Sequence, residues 1–143
     1  MTYVIGIDGG GTKTRATCYD LESAMALFTA ETGRVNFLFQ FEESMEQILS
    51  AIAACVSYMG KRLPEQILIG AAGAISTEIC RRAEEEIQKR WCQHVRVIDD
   101  ARLAHTALLK GNDGILVIAG TGSIALGRYM GKEWHTGGWG YLL

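Results

Sequence analysis

The sequence has little of several features that mark special classes of protein. Its 143 residues include one proline and three histidines, and the net charge at neutral pH is only −2. No apolar run is long enough to cross a bilayer, and the N-terminus lacks the basic and cleavage segments of a secretory signal. The weak net charge argues against a nucleic-acid or anionic-membrane surface. We therefore expect a cytoplasmic protein without nucleic-acid or membrane partners.

Cysteine is present, but it lacks the spacing of a metal site. Cys18, Cys55, Cys80 and Cys92 are scattered along the chain without a CxxC pair. Cys92 and the nearby His94 offer too few ligands for a zinc ion. We expect reduced, mostly packed thiols and no iron–sulfur site formed within this chain.

Strand and helix patterns alternate along most of the sequence. Hydrophobic residues make up 48% and charged residues 21%, as is typical of a globular domain. The patterns predict strands at 3–8, 14–20, 26–32, 66–72, 95–99, 115–119, 124–129 and 132–135, and helices at 42–58, 77–91 and 100–110. The continuous apolar runs at 66–72 and 115–119 predict strands covered on both faces. The order indicates an α/β fold with an antiparallel meander followed by parallel strands.

The segment at 5–14, IGIDGGGTKT, joins an apolar strand to a carboxylate and three consecutive glycines. Glycine permits positive φ and close approach to a ligand, and successive backbone N–H groups in such a turn form an anion site. Asp8 beside that site can hold a hydrated Mg²⁺. Because a strand follows Lys13, the Walker A loop and the dinucleotide fingerprint, which both open a helix, are excluded. The segment predicts a nucleotide-phosphate turn, with a glycine hairpin that binds nothing as the alternative.

Two aspartates stand at the end of the predicted strand 95–99. Ligands of open α/β sheets bind at the carboxyl ends of strands, which is where Asp99 and Asp100 are expected. One carboxylate can accept the proton of a substrate hydroxyl while the other caps the following helix. Helix capping alone is the alternative for this pair.

Two more glycine clusters follow later strands. AGTGS at 119–123 combines potential N–H donors with two hydroxyls, which suits a second phosphate contact or a sugar hydroxyl. GGWGY at 137–141 places glycines on both sides of an indole, which can lie against a flat ligand. An ordinary glycine hairpin and a packed tryptophan are the respective alternatives.

The order of these clusters resembles the sugar kinase, Hsp70 and actin superfamily of ATPases, whose lobes have ribonuclease H-like folds. Within it, the chain is similar to the N-acetylglucosamine kinases and the wider BadF/BadG/BcrA/BcrD ATPase family. The resemblance rests on the turn at 7–14, Asn36, DDA at 99–101, AGTGS at 119–123 and GGWGY at 137–141. It implies an actin-like ATPase lobe with a mixed five-stranded sheet and helices on both faces.

The resemblance also implies a role for each cluster. The implied residues are Asp8 for Mg²⁺; Gly10, Gly11, Thr12, Lys13 and Thr121 for the nucleotide phosphates; and Asn36, Asp100, Gly122, Ser123, Gly138, Trp139 and Gly140 for the sugar. Asp100 would be the catalytic base, since the family's aspartate directly precedes a small residue. The implied reaction is ATP-dependent phosphorylation of a sugar hydroxyl, with an amino sugar such as N-acetylglucosamine as the substrate.

The resemblance implies an N-terminal lobe over 1–111 and only the first strands of a second lobe over 112–143. Family members continue with a second lobe that carries the adenosine pocket, so this chain alone is expected to lack useful kinase turnover. The full-length protein is expected to be a homodimer. Two alternatives remain: an ATPase that activates 2-hydroxyacyl-CoA dehydratases or benzoyl-CoA reductases, and a sugar sensor without turnover.

Overall fold

In the computed structural model, which describes residues 1–119 and 123–138, the chain begins with an antiparallel meander. Its strands are β1 (Tyr3–Gly9), β2 (Thr14–Asp20) and β3 (Ala26–Thr32). Their bounds agree with the sequence prediction to within one residue. The first glycine turn therefore lies between two paired strands, as predicted.

Two further strands extend this sheet on the other side of β1. β4 (Gln66–Ala71) pairs in parallel with β1, and β5 (Val95–Asp99) pairs in parallel with β4. The strand order is β3-β2-β1-β4-β5. In this register Gly9, Ala71 and Asp99 form one row at the carboxyl edge of the parallel strands. The mixed five-stranded sheet and the α/β class are confirmed.

The core of this sheet lies under two helices, α1 (Phe41–Tyr58) and α2 (Thr77–Gln88). Alternate residues of β1 and β4, among them Ile5, Ile7 and Ile69, are at most 1% exposed and pack in the same cluster as residues of both helices. Most of the intervening residues remain more accessible, and Leu68 is 36% exposed. The prediction that strand 66–72 is covered on both faces is therefore wrong within this part of the chain.

The ends of α2 illustrate what local sequence signals can determine. Ser76 caps the helix as predicted, because its Oγ accepts a hydrogen bond of 3.2 Å from the N–H of Ile79. The helix ends at Gln88, three residues before the predicted end. The N–H groups of Arg90 and Trp91 both donate to Ile87 O, which closes a terminal turn and places Trp91 in the core.

The remaining elements form a second unit, since contacts divide the chain into Met1–Asp100 and Ala101–Leu143. This unit contains nearly all of α3 (Asp100–Leu109) and a three-stranded antiparallel sheet of β6 (Gly114–Ala119), β7 (Ser123–Tyr129) and β8 (Lys132–Gly137). The strand prediction at 115–119 is confirmed, but its predicted burial is wrong. Ile115 and Val117 are 75% and 65% exposed.

The cysteines are free thiols, as expected. Cys18, Cys55 and Cys92 are buried and Cys80 is half-buried. Within residues 1–119 and 123–138, no helix has the length and apolar character needed to cross a membrane.

Candidate functional site

The first glycine turn connects β1 to β2 at the carboxyl edge of the sheet. The N–H of Gly10 donates to Lys13 O at 3.0 Å, which closes the turn. Positive φ is absent from the three glycines at 9–11, so their backbone conformation is open to other residues. A Cβ on Gly11 would have no neighbour within 4 Å. The lack of a side chain there therefore leaves space for a ligand, and packing of the protein does not require it.

A carboxylate holds the charged side chain of the turn. Glu31 Oε1 on β3 lies 3.0 Å from Lys13 Nζ and 2.9 Å from Arg15 Nη2. Hydrogen bonds from Lys13 and then Arg15 hold the pKa of Glu31 below its usual range. Because the Lys13 ammonium is engaged by Glu31, the turn presents its backbone N–H groups and the exposed Thr12 hydroxyl to an anion.

A loop at 33–40 ties the glycine turn to the end of β4. The N–H of Val35 donates to Gly10 O at 2.8 Å, and the N–H of Phe37 donates to Ala72 O at 2.9 Å. Val35 and Phe37 are both buried, which fixes the backbone on each side of Asn36. Asn36, the predicted sugar residue, thus lies between two residues whose backbone N–H groups are hydrogen-bonded to the residues that directly follow β1 and β4.

A cavity of about 260 Å³ opens between this loop and the glycine turn. Its lining comprises Gly11, Arg34, Val35, Asn36, Phe39 and Gln40. The structure therefore brings together a predicted phosphate residue, Gly11, and a predicted sugar residue, Asn36. A cleft with both polar and apolar lining residues can hold a small ligand with its charged group against the turn.

The predicted catalytic Asp100 and its neighbour Asp99 lie at the same edge of the sheet. Asp99 ends β5 and Asp100 begins α3. Asp99 is in register with Ala71, which is in register with Gly9, so two strand spacings separate the aspartates from the glycine turn. This corresponds to about 10 Å, which leaves room for a phosphoryl group and an acceptor hydroxyl. Asp100 is exposed and Asp99 is half-buried.

The predicted residues of the second unit fall partly within the described chain. The N–H of Gly138 donates to Ser123 O at 2.7 Å, so these two predicted sugar residues adjoin each other. Thr121, Gly122, Trp139 and Gly140 lie outside the described residues.

Comparison with known families matches residues 5–143 to the BadF/BadG/BcrA/BcrD ATPase family. The chain belongs to this family. The match covers every cluster on which the resemblance rests, from the first glycine turn to residues 137–141.

Curated relatives of this chain carry sugar kinase names. The chain is 35% identical, over its whole length, to an N-acetylmuramic acid/N-acetylglucosamine kinase of Clostridium acetobutylicum, of which it covers 48%. It is 26% identical to a glucosamine kinase of Vibrio cholerae, with 96% of this chain and 47% of the relative covered. The chain thus spans about half the length of the curated relatives it matches.

A solved structure supports the same fold. A protein of Chromobacterium violaceum, provisionally designated an N-acetylglucosamine kinase, superposes with a TM-score of 0.74 at 27% identity. The superposition covers 99% of this chain and 50% of that protein.

The glycine turn has one neighbouring side chain that suits a magnesium ion. No group of three or more His, Cys, Asp or Glu able to hold a metal lies among residues 1–119 and 123–138. Mg²⁺ bound with a nucleotide needs only one or two protein carboxylates, because phosphate oxygens and water supply the other ligands. The exposed Asp8 at the end of β1, beside the turn, suits that chemistry.

A second cavity, of about 400 Å³, lies at the opposite edge of the sheet. It is lined by the segments that precede β4 and β5, at 63–65 and 88–94. None of the predicted site residues that the structure describes borders it. We place the site at the smaller cavity because the glycine turn and Asn36 meet there.

Two residues with a structural role in the site were missed by the sequence analysis. Ser44 is 1% exposed, and its Oγ accepts a hydrogen bond of 2.9 Å from the N–H of Asn36. Gly73, with φ of +78°, packs against the Asn36 side chain. The available signal for Gly73 was a glycine just after a strand at the carboxyl edge; for Ser44 the sequence offered none.

Proposed function

We propose that the protein to which this chain belongs is an ATP-dependent kinase that phosphorylates a hydroxyl of an amino sugar such as N-acetylglucosamine. The observation that carries this proposal is the cavity of about 260 Å³ that both Gly11 of the glycine turn and Asn36 line. Family membership and the amino-sugar kinase names of the relatives support it.

On the nucleotide side, the turn would bind phosphate mainly through its backbone. The N–H groups of residues 11–13 and the Thr12 hydroxyl are the donors we assign, since the Gly10 N–H closes the turn; Thr121 of the AGTGS cluster is a further contact. Asp8 would hold Mg²⁺ through water. When bound, this ion neutralises charge on the nucleotide phosphates.

On the acceptor side, Asn36 would bind the sugar and Asp100 would act as general base. The Asp100 carboxylate accepts the proton of the attacking sugar hydroxyl, and the oxygen of that hydroxyl bonds to the γ-phosphorus. The bond from that phosphorus to the β–γ bridging oxygen breaks, and ADP leaves. Sugar contacts proposed for the second unit are Gly122, Ser123, Gly138, Trp139 and Gly140.

The proposal includes the organisation of the whole protein. Residues 1–111 would belong to the first lobe and 112–143 to the second, and the full-length protein would be a cytoplasmic homodimer. Since lobe closure excludes water and completes such sites, residues 1–143 alone should lack useful turnover. Sugar-dependent ADP release by this segment at an ordinary kinase rate would contradict that expectation.

The test is ADP release by the full-length protein with Mg²⁺-ATP and a panel of sugars. The panel contains N-acetylglucosamine, N-acetylmuramic acid, glucosamine and glucose. Asp100→Asn keeps the shape of the side chain and removes its basicity, so kcat should fall by about 10²–10⁴-fold. Asp99→Asn is the matched control at the neighbouring position, and it should retain most of the activity.

The results separate the proposal from its rivals. Turnover with an amino sugar that depends on Asp100 supports the kinase. ATP hydrolysis that no sugar stimulates would favour the activator ATPase. Sugar binding without ADP release would favour a sensor.

A further inference from the structure

The side chain of Asn36 has a defined polarity in the loop at 33–40. The N–H of Leu38 lies 3.1 Å from Asn36 Oδ1 and donates to it. A backbone N–H can only donate, so the amide atom at this position must be the oxygen. This assignment orients the whole amide group, because the nitrogen then occupies the other position.

The Nδ2 group remains available to a ligand. Among the residues that the structure describes, none accepts a hydrogen bond from it. Asn36 is half-buried and lines the cavity of about 260 Å³ beside the glycine turn. An amide donor at the wall of this cavity suits an acceptor on the ligand, such as a hydroxyl or carbonyl oxygen.

Two neighbours hold the residue in this orientation. Ser44, buried on α1, accepts the Asn36 backbone N–H at 2.9 Å. Gly73 lies so close that a Cβ on it would stand 2.6 Å from Asn36 Oδ1 and 2.6 Å from the N–H nitrogen of Leu38. The space for the amide oxygen therefore exists only because residue 73 has no side chain.

We propose that Asn36 recognises the sugar as a hydrogen-bond donor through Nδ2, and that Ser44 and Gly73 are positioning residues: Ser44 holds the Asn36 backbone, and Gly73 leaves room for its amide oxygen. The inference rests on the proposed kinase function and deepens it. It predicts that a sugar oxygen acting as acceptor faces residue 36. The chemical class is a pyranose hydroxyl or acetamido carbonyl oxygen.

Asn36→Asp in the full-length protein tests the donor role. The aspartate keeps an oxygen for the Leu38 N–H, loses the amide donor and adds a negative charge. The KM for N-acetylglucosamine should rise by about tenfold or more, since a sugar oxygen loses its partner. The KM for ATP and the melting temperature should stay near the unchanged protein's values.

Two outcomes would overturn the donor role. An unchanged sugar KM in Asn36→Asp would show that the amide nitrogen makes no contact. An equal rise in the KM for ATP would show that the new charge merely repels phosphate.

Ser44→Ala tests the positioning role. Loss of one neutral hydrogen bond to the loop should raise the sugar KM by about fivefold while kcat and the KM for ATP stay unchanged. Ser50→Ala, an exposed serine on the same helix, is the matched control and should change none of these values. A Ser44→Ala protein that loses stability but keeps its sugar KM would overturn the role.

The unchanged protein separates this inference from its premise. If it releases no ADP with any sugar, the kinase proposal fails. If it phosphorylates the sugar but the variants behave as Ser50→Ala does, only the polarity of Asn36 is wrong.

Discussion

The two sheets of this chain have similarly apolar strands but very different burial. In the five-stranded sheet, Ile67 and Ile69 are 0% exposed. In the three-stranded sheet, Ile115 is 75% and Trp134 is 55% exposed. An apolar strand is therefore buried only where another element covers it, and its own sequence does not supply that element.

The difference follows from which helices each unit contains. α1 and α2 both contribute to the cluster that covers the five-stranded sheet, with buried residues along much of α1. In the second unit, α3 buries only Ala101 and His105. The glycine turn and the loop at 33–40 are thus attached to a sheet with a packed core. The sheet of the second unit, by contrast, leaves large apolar side chains in contact with solvent.

The comparison can be tested first with one substitution in each sheet. Ile69→Ala removes a fully buried side chain, and Ile115→Ala removes one that is largely exposed. The first should lower the free energy of unfolding of residues 1–143 by about 2–5 kcal/mol. The second should lower it by less than about 0.5 kcal/mol. Urea denaturation followed by circular dichroism measures both.

Equal losses at the two positions would contradict the difference in burial between the two sheets. They would mean that Ile115 is covered in solution, for example by a second copy of the chain, and sedimentation at several concentrations would detect such an assembly.

Two glycines, one in each unit, test the same difference in packing at the backbone. Gly73 and Gly111 have nearly the same φ, +78° and +76°, but a Cβ would meet the 36–38 backbone and side chain at Gly73 and nothing within 4 Å at Gly111. Gly111→Ala should lower the free energy of unfolding by about 1–2 kcal/mol, because alanine is strained at positive φ. Gly73→Ala should lower the free energy of unfolding by about 1–3 kcal/mol more, because the loop at 33–40 must shift to accommodate the Cβ.

Thermal unfolding measures this pair, and sugar KM in the full-length protein provides a second readout. Only Gly73→Ala should raise the sugar KM, because only Gly73 contacts Asn36. A rise in both variants would contradict the packing argument.

The smallest effect is expected from the surface charges beside the glycine turn. The pKa of Glu31 is lowered by hydrogen bonds from Lys13 and Arg15, so the pairing stabilises the folded protein at neutral pH. This contribution should disappear as the pH falls through the lowered pKa, below the usual range of glutamate. Glu31→Gln should therefore destabilise slightly at pH 7 and have little effect in acid.

Glu46→Gln, an exposed glutamate on α1, serves as the control, and thermal melts from pH 7 to acid compare the two variants. Because both partners of Glu31 are half-exposed, added salt should also reduce the effect. A Glu31→Gln effect that grew on acidification would contradict the assigned pairing.

Much of the fold could be predicted from local sequence. The strands of the meander, the Ser76 cap and the placement of Asp99 and Asp100 at a strand end follow from periodicity and turn chemistry. The first glycine turn was found for the same reason, since all its parts are contiguous in the chain. Membership of the family was also evident from the order of its clusters.

Features that join distant segments could not be predicted in this way. The contact of Gly73 with Asn36 spans 37 residues of chain, and no local pattern encodes it. The exposure of β6 depends on what covers the second sheet, and its apolar run is equally compatible with burial. The site assignments remain predictions throughout, and four of the six in the second unit lie outside the described chain.

The two backbone bonds of the loop at 33–40 have a consequence for how its sequence can diverge. Val35 and Phe37 are held through main-chain atoms, which any residue except proline supplies. Exposed neighbours such as Leu38 and Phe39 can therefore be replaced without loss of either bond. Inserting or deleting one residue between 35 and 37 would break at least one of them. Relatives should accordingly differ here by substitution and keep the length of the loop.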